Sequence, residues 1–297
     1  FIWKIMIENG LETFFEAFLR KESVFFDKKA LQSVYIPQTI LHREEQTKQI
    51  ANILAPALKG DKPSNIFIYG KTGTGKTVTV KFTTQKLMEV AERENATLRV
   101  IYVNCKLKRS ADTEYRLIAQ LATELGKSIP PTGLPTEEVY KTFLRAINRQ
   151  KQNYILILDE IDQLVKKTGD NVLYNLTRIN EETESQISII GISNDVVFVD
   201  SLDPRVRSSL SEEEIVFPPY NAVQIQSILR QRAEHAFNNG ILEHGVIEKC
   251  SAYAARDHGD ARRAIDLLRV AGEMADRKNT KKITIEHIDE AEEKMDR

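Results

Sequence analysis

The 297 residues carry 42 Lys and Arg against 43 Asp and Glu, a formal charge of −1, with 41% hydrophobic and 29% charged residues. That is the balance of a globular protein of one large or two ordinary domains; it argues against a strongly basic nucleic-acid-coating protein but leaves room for a local basic patch. Cys105 and Cys250 fit neither a metal spacing nor a disulfide framework, so a reducing intracellular compartment is expected, and no apolar run approaches the roughly 20 residues that span a bilayer.

Residues 1–7 are apolar but short and are followed by acidic residues, a poor signal peptide. The chain opens on Phe1 rather than Met, as a fragment would. Residues 12–21 suggest a short helix, and Phe14, Phe15, Phe18, Phe25 and Phe26 are expected to pack on the main domain. Val34-Tyr-Ile-Pro37 reads as extended, because the residue before proline avoids the helical region. Apolar positions Ile40, Leu41, Ile50, Ile53, Leu54 and Leu58 suit an amphipathic helix starting near His42-Arg43-Glu44.

The run Ile66-Phe-Ile-Tyr69 reads as a buried strand. It stops at Gly70, and Gly70-Lys-Thr-Gly-Thr-Gly-Lys-Thr77 leads into a helical pattern over 78–94. This is G-x-x-x-x-G-K-T between strand and helix. Gly70, Gly73 and Gly75 let successive N–H groups of Lys71, Thr72, Thr74 and their neighbours converge on phosphate oxygens, and the helix at Val78 adds its N-terminal partial charge. Lys76 reaches the β- and γ-phosphates, and Thr77 offers a hydroxyl to Mg²⁺. The alternative, a chance glycine-rich turn, leaves the flanking strand and helix unexplained.

A second strand is expected at 98–103 and helices at 113–126 and 136–150, separated by Pro130, Pro131, Gly133 and Pro135. Tyr154-Ile-Leu-Ile-Leu-Asp-Glu160 is the second decisive motif. An apolar strand delivers two carboxylates to its C-terminal end, where doubly wound sheets place ligands. Asp159 is suited to the Mg²⁺ shell and Glu160 to deprotonating an attacking water. A further strand at 185–193 ends at Asn194, beside the acidic pair and within reach of a γ-phosphate or its water; an ordinary turn-capping Asn is the alternative.

Strand and helix alternate through residue 217, which implies a parallel α/β sheet. After Pro218-Pro219 no convincing strand remains, and helices are expected at 222–238, 242–256, 260–277 and 285–295. The division is therefore an α/β P-loop domain over 1–217, including an inserted helical segment near 110–140, and a small all-helical domain over 218–297.

These motifs together resemble an AAA+ ATPase with a helical lid. Gly259-Asp-Ala-Arg-Arg-Ala-Ile-Asp-Leu-Leu-Arg269, Ile36-Pro37 with His42-Arg43-Glu44, Phe217-Pro-Pro-Tyr220, and Pro131-Thr-Gly-Leu-Pro135 narrow the resemblance to archaeal DNA-replication initiators of the origin recognition complex and Cdc-six family. The resemblance implies that Ile36, Pro37 and Arg43 pack around the adenine and ribose. It implies that Asn194 is the first sensor, that Tyr220 and Arg232 lie near the nucleotide, and that Arg262 is the second sensor, reporting ATP against ADP. Arg263, about 100° round the helix, reads as surface. Asp203-Pro-Arg-Val-Arg-Ser-Ser-Leu210 falls where relatives put an arginine finger. Relatives often end this box in Ser-Arg, where this chain has Ser208-Ser209, so Arg205 or Arg207 serves, or the finger is displaced, and slow turnover is expected.

The resemblance also implies ATP or ADP and Mg²⁺ as cofactors and double-stranded origin DNA as partner, with a paralogous initiator subunit and the replicative helicase beside it. It implies a cytoplasmic, nucleoid-associated protein with no membrane partner. Relatives carry a winged-helix domain after the lid, and this sequence stops at Arg297, where that domain would begin. The DNA candidates are then Lys106, Lys108, Arg109, Arg116 and Lys127 on phosphates, with Pro131, Thr132 and Gly133 as a wedge against the minor groove; a solvated basic face is the alternative. The competing function is a different AAA+ ATPase, such as a clamp-loader subunit or a transposition or signalling ATPase acting on proteins. A non-hydrolysing scaffold is a third.

Overall fold

The computed structural model describes residues 22–106, 113–130, 132–256 and 258–296, together with residues 10–13, 15, 16 and 19. By packing, the chain forms two compact units. One comprises Ile36–Gln224 and Ala255–Ala261; the other comprises, in their described residues, Phe1–Tyr35, Ile225–Ala254 and Arg262–Arg297.

The first unit is built on a parallel five-stranded sheet, as the alternation of elements predicts. Its strands are β1 (Ile66–Tyr69), β2 (Leu98–Asn104), β3 (Asn153–Asp159), β4 (Gln186–Ser193) and β5 (Glu213–Val216), in the order β2-β3-β4-β1-β5. All seven residues of β3 are buried, because a parallel sheet is covered on both faces and its strands therefore read as continuous apolar runs. Alternate residues supply alternate cores. Leu156 and Leu158 join Phe67, Ile187 and Ile189 on one face; Ile155 and Ile157 join Ile66, Ile68, Ile190 and Ile192 on the other.

Helices α1 (Glu44–Leu54) and α2 (Lys76–Arg93) flank β1 in sequence and pack on each other. Between β2 and β3 lie α3 (Glu114–Glu124) and α4 (Thr136–Ile147), which also pair. Between β3 and β4 lie α5 (Ile161–Thr168) and α6 (Asn171–Arg178), and α7 (Pro204–Leu210) precedes β5. Because β3, β4 and β1 are neighbours, the loops at their C-terminal ends come out side by side. These loops carry the acidic pair, Asn194 and the glycine-rich turn.

The second unit contains the rest of α8 (Ala222–Ala236), most of α9 (Val246–Arg256), α10 (Ala261–Lys278) and α11 (Ile285–Asp296). Here the packing corrects the expected boundary at residue 217. The segment leading to Tyr35 belongs with these helices, not with the sheet. The Val24 N–H and the Ser23 hydroxyl both donate to the Asp276 carboxylate, at 2.8 and 2.6 Å, and the Phe26 N–H donates to the Ala236 carbonyl. The Phe25 ring stacks on Phe237 with centroids 5.0 Å apart, in a gap that Gly272 keeps open. Phe25 is thus the aromatic that packs, but in the helical unit. Phe15 and Phe26 are exposed, and Phe14 and Phe18 lie outside the described residues. No helix among the described residues is long and apolar enough to cross a membrane.

Candidate nucleotide site

The glycine-rich turn between β1 and α2 adopts the conformation its composition demands. Gly73 and Gly75 have φ of 73° and 89°, a region that disfavours side chains. Both are also hemmed in: a Cβ on Gly73 would collide with Asp260, and one on Gly75 would meet the Tyr220 hydroxyl at 2.5 Å. The carbonyls of the turn are held by two of its own side chains and by one amide from outside it. Lys76 Nζ donates to Gly70 O and Lys71 O at 2.7 and 2.8 Å, the Thr74 hydroxyl donates to Lys71 O, and the Ala261 N–H donates to Gly73 O. Lys76 is 5% exposed, so its charge sits inside the turn. The exposed Lys71 and Thr72 form the rim, and Val78 is half-buried in the first turn of α2.

Asp159 is the last residue of β3 and faces this turn. The Thr77 and Tyr102 hydroxyls both donate to its Oδ2, at 2.9 and 2.8 Å, and the Glu160 N–H donates to Oδ1 at 3.0 Å. Burial and the neighbouring Asp159 carboxylate push the Tyr102 hydroxyl well above its ordinary range, so it stays a donor. Two oxygens bound in adjacent positions of an octahedral Mg²⁺ shell lie about 3 Å apart. The Thr77 and Asp159 oxygens, at 2.9 Å, fit that spacing. Among the described residues no group of three or more His, Cys, Asp or Glu is arranged to hold a metal ion by itself.

Glu160 has left-handed backbone, φ 55° and ψ 44°, a conformation that costs a non-glycine residue about 1 kcal/mol. The strain turns it out of the β3 line before α5 begins. Its carboxylate lies 3.6 Å from Lys106 Nζ. Asn194 follows β4 and is exposed; its strand runs in register with β3, Ile192 opposite Asp159.

Sequence reasoning misses Asp162. It is 2% exposed in the first turn of α5 and accepts from the Ser193 hydroxyl at 3.1 Å and the Gln163 amide at 2.7 Å. Ser193 Oγ in turn accepts from the Asp195 N–H at 2.9 Å, and Lys166 Nζ bridges Asp195 and Asp162. Both neighbours of Asn194 are therefore fixed to the β3–α5 turn. The available signal is spacing: an acid two residues after Glu160, at a helix start.

The remaining candidates divide. Arg43 and Tyr220 are buried and join the turn, while Ile36 is half-buried and Pro37 buried in the same unit. Arg232 belongs to the other unit, where it donates to Ala30 O and Tyr35 O and lies over the Tyr35 ring at 4.6 Å. Its guanidinium is committed to the N-terminal segment. Arg262 is exposed at the first turn of α10. Arg263, expected on the surface, is instead clamped by Glu292 and Asp296 at 3.0 and 2.6 Å. Arg205 pairs with Asp203 and Arg207 with Asp200; both are exposed. Lys106, Thr132 and Gly133 are exposed and Arg116 and Lys127 half-buried. Lys108, Arg109 and Pro131 lie outside the described residues.

A family model described as "AAA domain" matches residues 60–195, and one described as "Cdc6 AAA+ ATPase-type lid domain" matches residues 226–293. The ORC1-type DNA replication protein of Thermococcus onnurineus is 51% identical over 296 residues, which span 98% of this chain and 71% of that relative. The structure of the Aeropyrum pernix ORC1 protein in complex with DNA is similar with a TM-score of 0.87 and 43% identity, covering 93% of this chain and 71% of that one. The Aeropyrum pernix ORC2 protein, in ADPNP-ADP complexes, is similar with a TM-score of 0.78 and 26% identity, covering 90% and 71%.

Proposed function

Because this chain belongs to the family of ORC1-type DNA replication proteins, we propose that it is an ATP-switched replication initiator. It binds ATP with Mg²⁺ at the phosphate loop, hydrolyses it slowly, engages double-stranded origin DNA and helps recruit or load the replicative helicase. It works in the cytoplasm at the nucleoid, beside a paralogous subunit. The observation that carries the reading is the 2.9 Å contact between Thr77 and Asp159, across a turn that already encloses Lys76.

In this reading the amides of residues 71–77 bind the phosphates, and Lys76 exchanges the Gly70 and Lys71 carbonyls for β- and γ-phosphate oxygens. Thr77 and Asp159 would hold Mg²⁺, which when bound would supply positive charge against the charge developing on the phosphate oxygens. Glu160 accepts the proton of the attacking water, and Asn194 orients that water. Tyr220 and the buried Pro37 line the nucleoside side. Arg262 serves as the second sensor, and Arg205 or Arg207 acts in trans after leaving its aspartate. DNA engagement as such is supported by the DNA complex of the Aeropyrum pernix relative, and the basic segment from Lys106 to Gly133 is the candidate to meet the phosphates.

The test is Glu160→Gln. ATP binding should persist while hydrolysis falls by about 100-fold or more, the usual worth of a general base. Unchanged turnover would remove Glu160 as the base.

A further inference from the structure

Arg43 immediately precedes α1, where its side chain makes no capping bond, and is 3% exposed. A guanidinium taken out of water must have its donors met. Here all three nitrogens donate to backbone carbonyls: Nε to Thr74 O at 2.9 Å, and the two terminal nitrogens to His42 O at 2.8 Å and Pro218 O at 2.5 Å. Its plane lies over the Tyr220 ring, 3.8 Å from the centroid, and the Tyr220 hydroxyl borders Gly75. Burial lowers the guanidinium pKa, and Tyr220 and Glu44 oppose that shift.

Peptide planarity gives the Thr74 contact a directional consequence. In a trans peptide the carbonyl of one residue and the N–H of the next point to opposite sides, and the described residues contain no cis bond. Holding Thr74 O toward Arg43 therefore aims the Gly75 N–H the other way, away from Arg43. The Ala261 N–H does the same for the Thr74 amide by holding Gly73 O at 3.2 Å. Glycine at 73 and 75 leaves these peptides little resistance of their own to rotation, so the direction of the amides depends on what grips the carbonyls.

We propose that Arg43 is a positioning residue for polyphosphate: it sets the Gly75 amide through the Thr74 carbonyl and does not itself touch the base or ribose. The proposal rests on the phosphate-loop reading above. It assigns to a residue preceding α1 a share of the affinity for any nucleoside diphosphate or triphosphate, whatever its base. Lysine cannot replace it, because a point donor cannot grip three carbonyls and stack on Tyr220 at once.

The experiment is displacement of a fluorescent ADP analogue by ADP, GDP and inorganic tripolyphosphate, for the unaltered chain, Arg43→Met, Arg43→Lys and Lys76→Ala, with thermal melts alongside. Arg43→Met and Arg43→Lys should both weaken tripolyphosphate and ADP by the same factor, about 10-fold for one misdirected charge-assisted amide contact, with the ADP-to-GDP preference unchanged. Loss of that preference with tripolyphosphate unaffected would overturn the proposal in favour of a base contact. If Arg43→Met fails to fold, Arg43→Lys carries the same comparison, and full rescue by lysine would also overturn it. Lys76→Ala separates the premise: undiminished displacement by that variant would sink the phosphate-loop reading itself.

Discussion

At the residue scale, the site is a set of oxygens and amides whose directions are fixed by hydrogen bonds to one another and to neighbouring side chains. Asp159 illustrates this: two hydroxyls and one amide orient its carboxylate. Asp162 does the same for the loop after β4. An anion 2% exposed is tolerated because Ser193, Gln163 and Lys166 surround it. Removing it in Asp162→Ala leaves the buried Ser193 hydroxyl with only the Asp195 carbonyl, at 3.2 Å, as acceptor and should cost about 1 kcal/mol of stability. Because Asn194 is flanked by the two residues this network holds, kcat should fall more than nucleotide affinity. Calorimetric melting with steady-state kinetics checks both, and a stability loss at unaltered kcat would leave Asp162 purely structural. The phosphate loop and the acidic pair are legible in the sequence because their chemistry forces unusual local composition, glycines at 73 and 75 and two acids after an apolar run. Asp162 is not, since its partner Ser193 is distant in sequence and meets it only through strand order. Arg232 escapes placement for the same reason: which carbonyls a buried arginine serves is a tertiary fact.

At the scale of elements, what a reading of the sequence misses is short. The helices α5, α6 and α7 have eight, eight and seven residues, too few for a helical period to stand out from the neighbouring loops. β5 reads Glu-Glu-Ile-Val with only Ile215 buried. It is an edge strand, and charge on an edge strand hides it from any search for apolar runs while blunting unwanted pairing. The buried strands β1, β3 and β4 carry no such disguise. The basic segment flanking α3 supplies the prediction at this scale. Arg116→Ala with Lys127→Ala should weaken DNA binding and reduce the salt slope by about 2, one for each phosphate no longer neutralised. Titrations over a range of salt concentrations measure it; an unaltered slope would mean that these side chains face solvent.

At the scale of the whole molecule, the chain folds as two units whose boundaries cross the sequence more than once. A helical region after Pro218-Pro219 accounts for the second unit's helices but not for its N-terminal strap. That strap is held by Phe25 on Phe237 and by Ser23 and Val24 on Asp276, contacts made across more than 200 residues that no local pattern announces. Phe25→Ala should destabilise the helical unit by about 1–2 kcal/mol, for a partly buried ring, and lower its melting temperature while leaving the sheet unit's transition in place. Equal loss in both transitions would contradict the division.

A nucleotide-switched ATPase core that reads origin DNA is the sum of these proposals, and its DNA binding is where it is most exposed. Fluorescence anisotropy would follow this chain binding origin-derived and scrambled duplexes at two salt concentrations, with ADP and with a non-hydrolysable ATP analogue. We expect tighter binding to origin duplex than to scrambled duplex, weakened at the higher salt and different in the two nucleotide states. Equal binding to both duplexes in both states, or no binding in any, would contradict that reading.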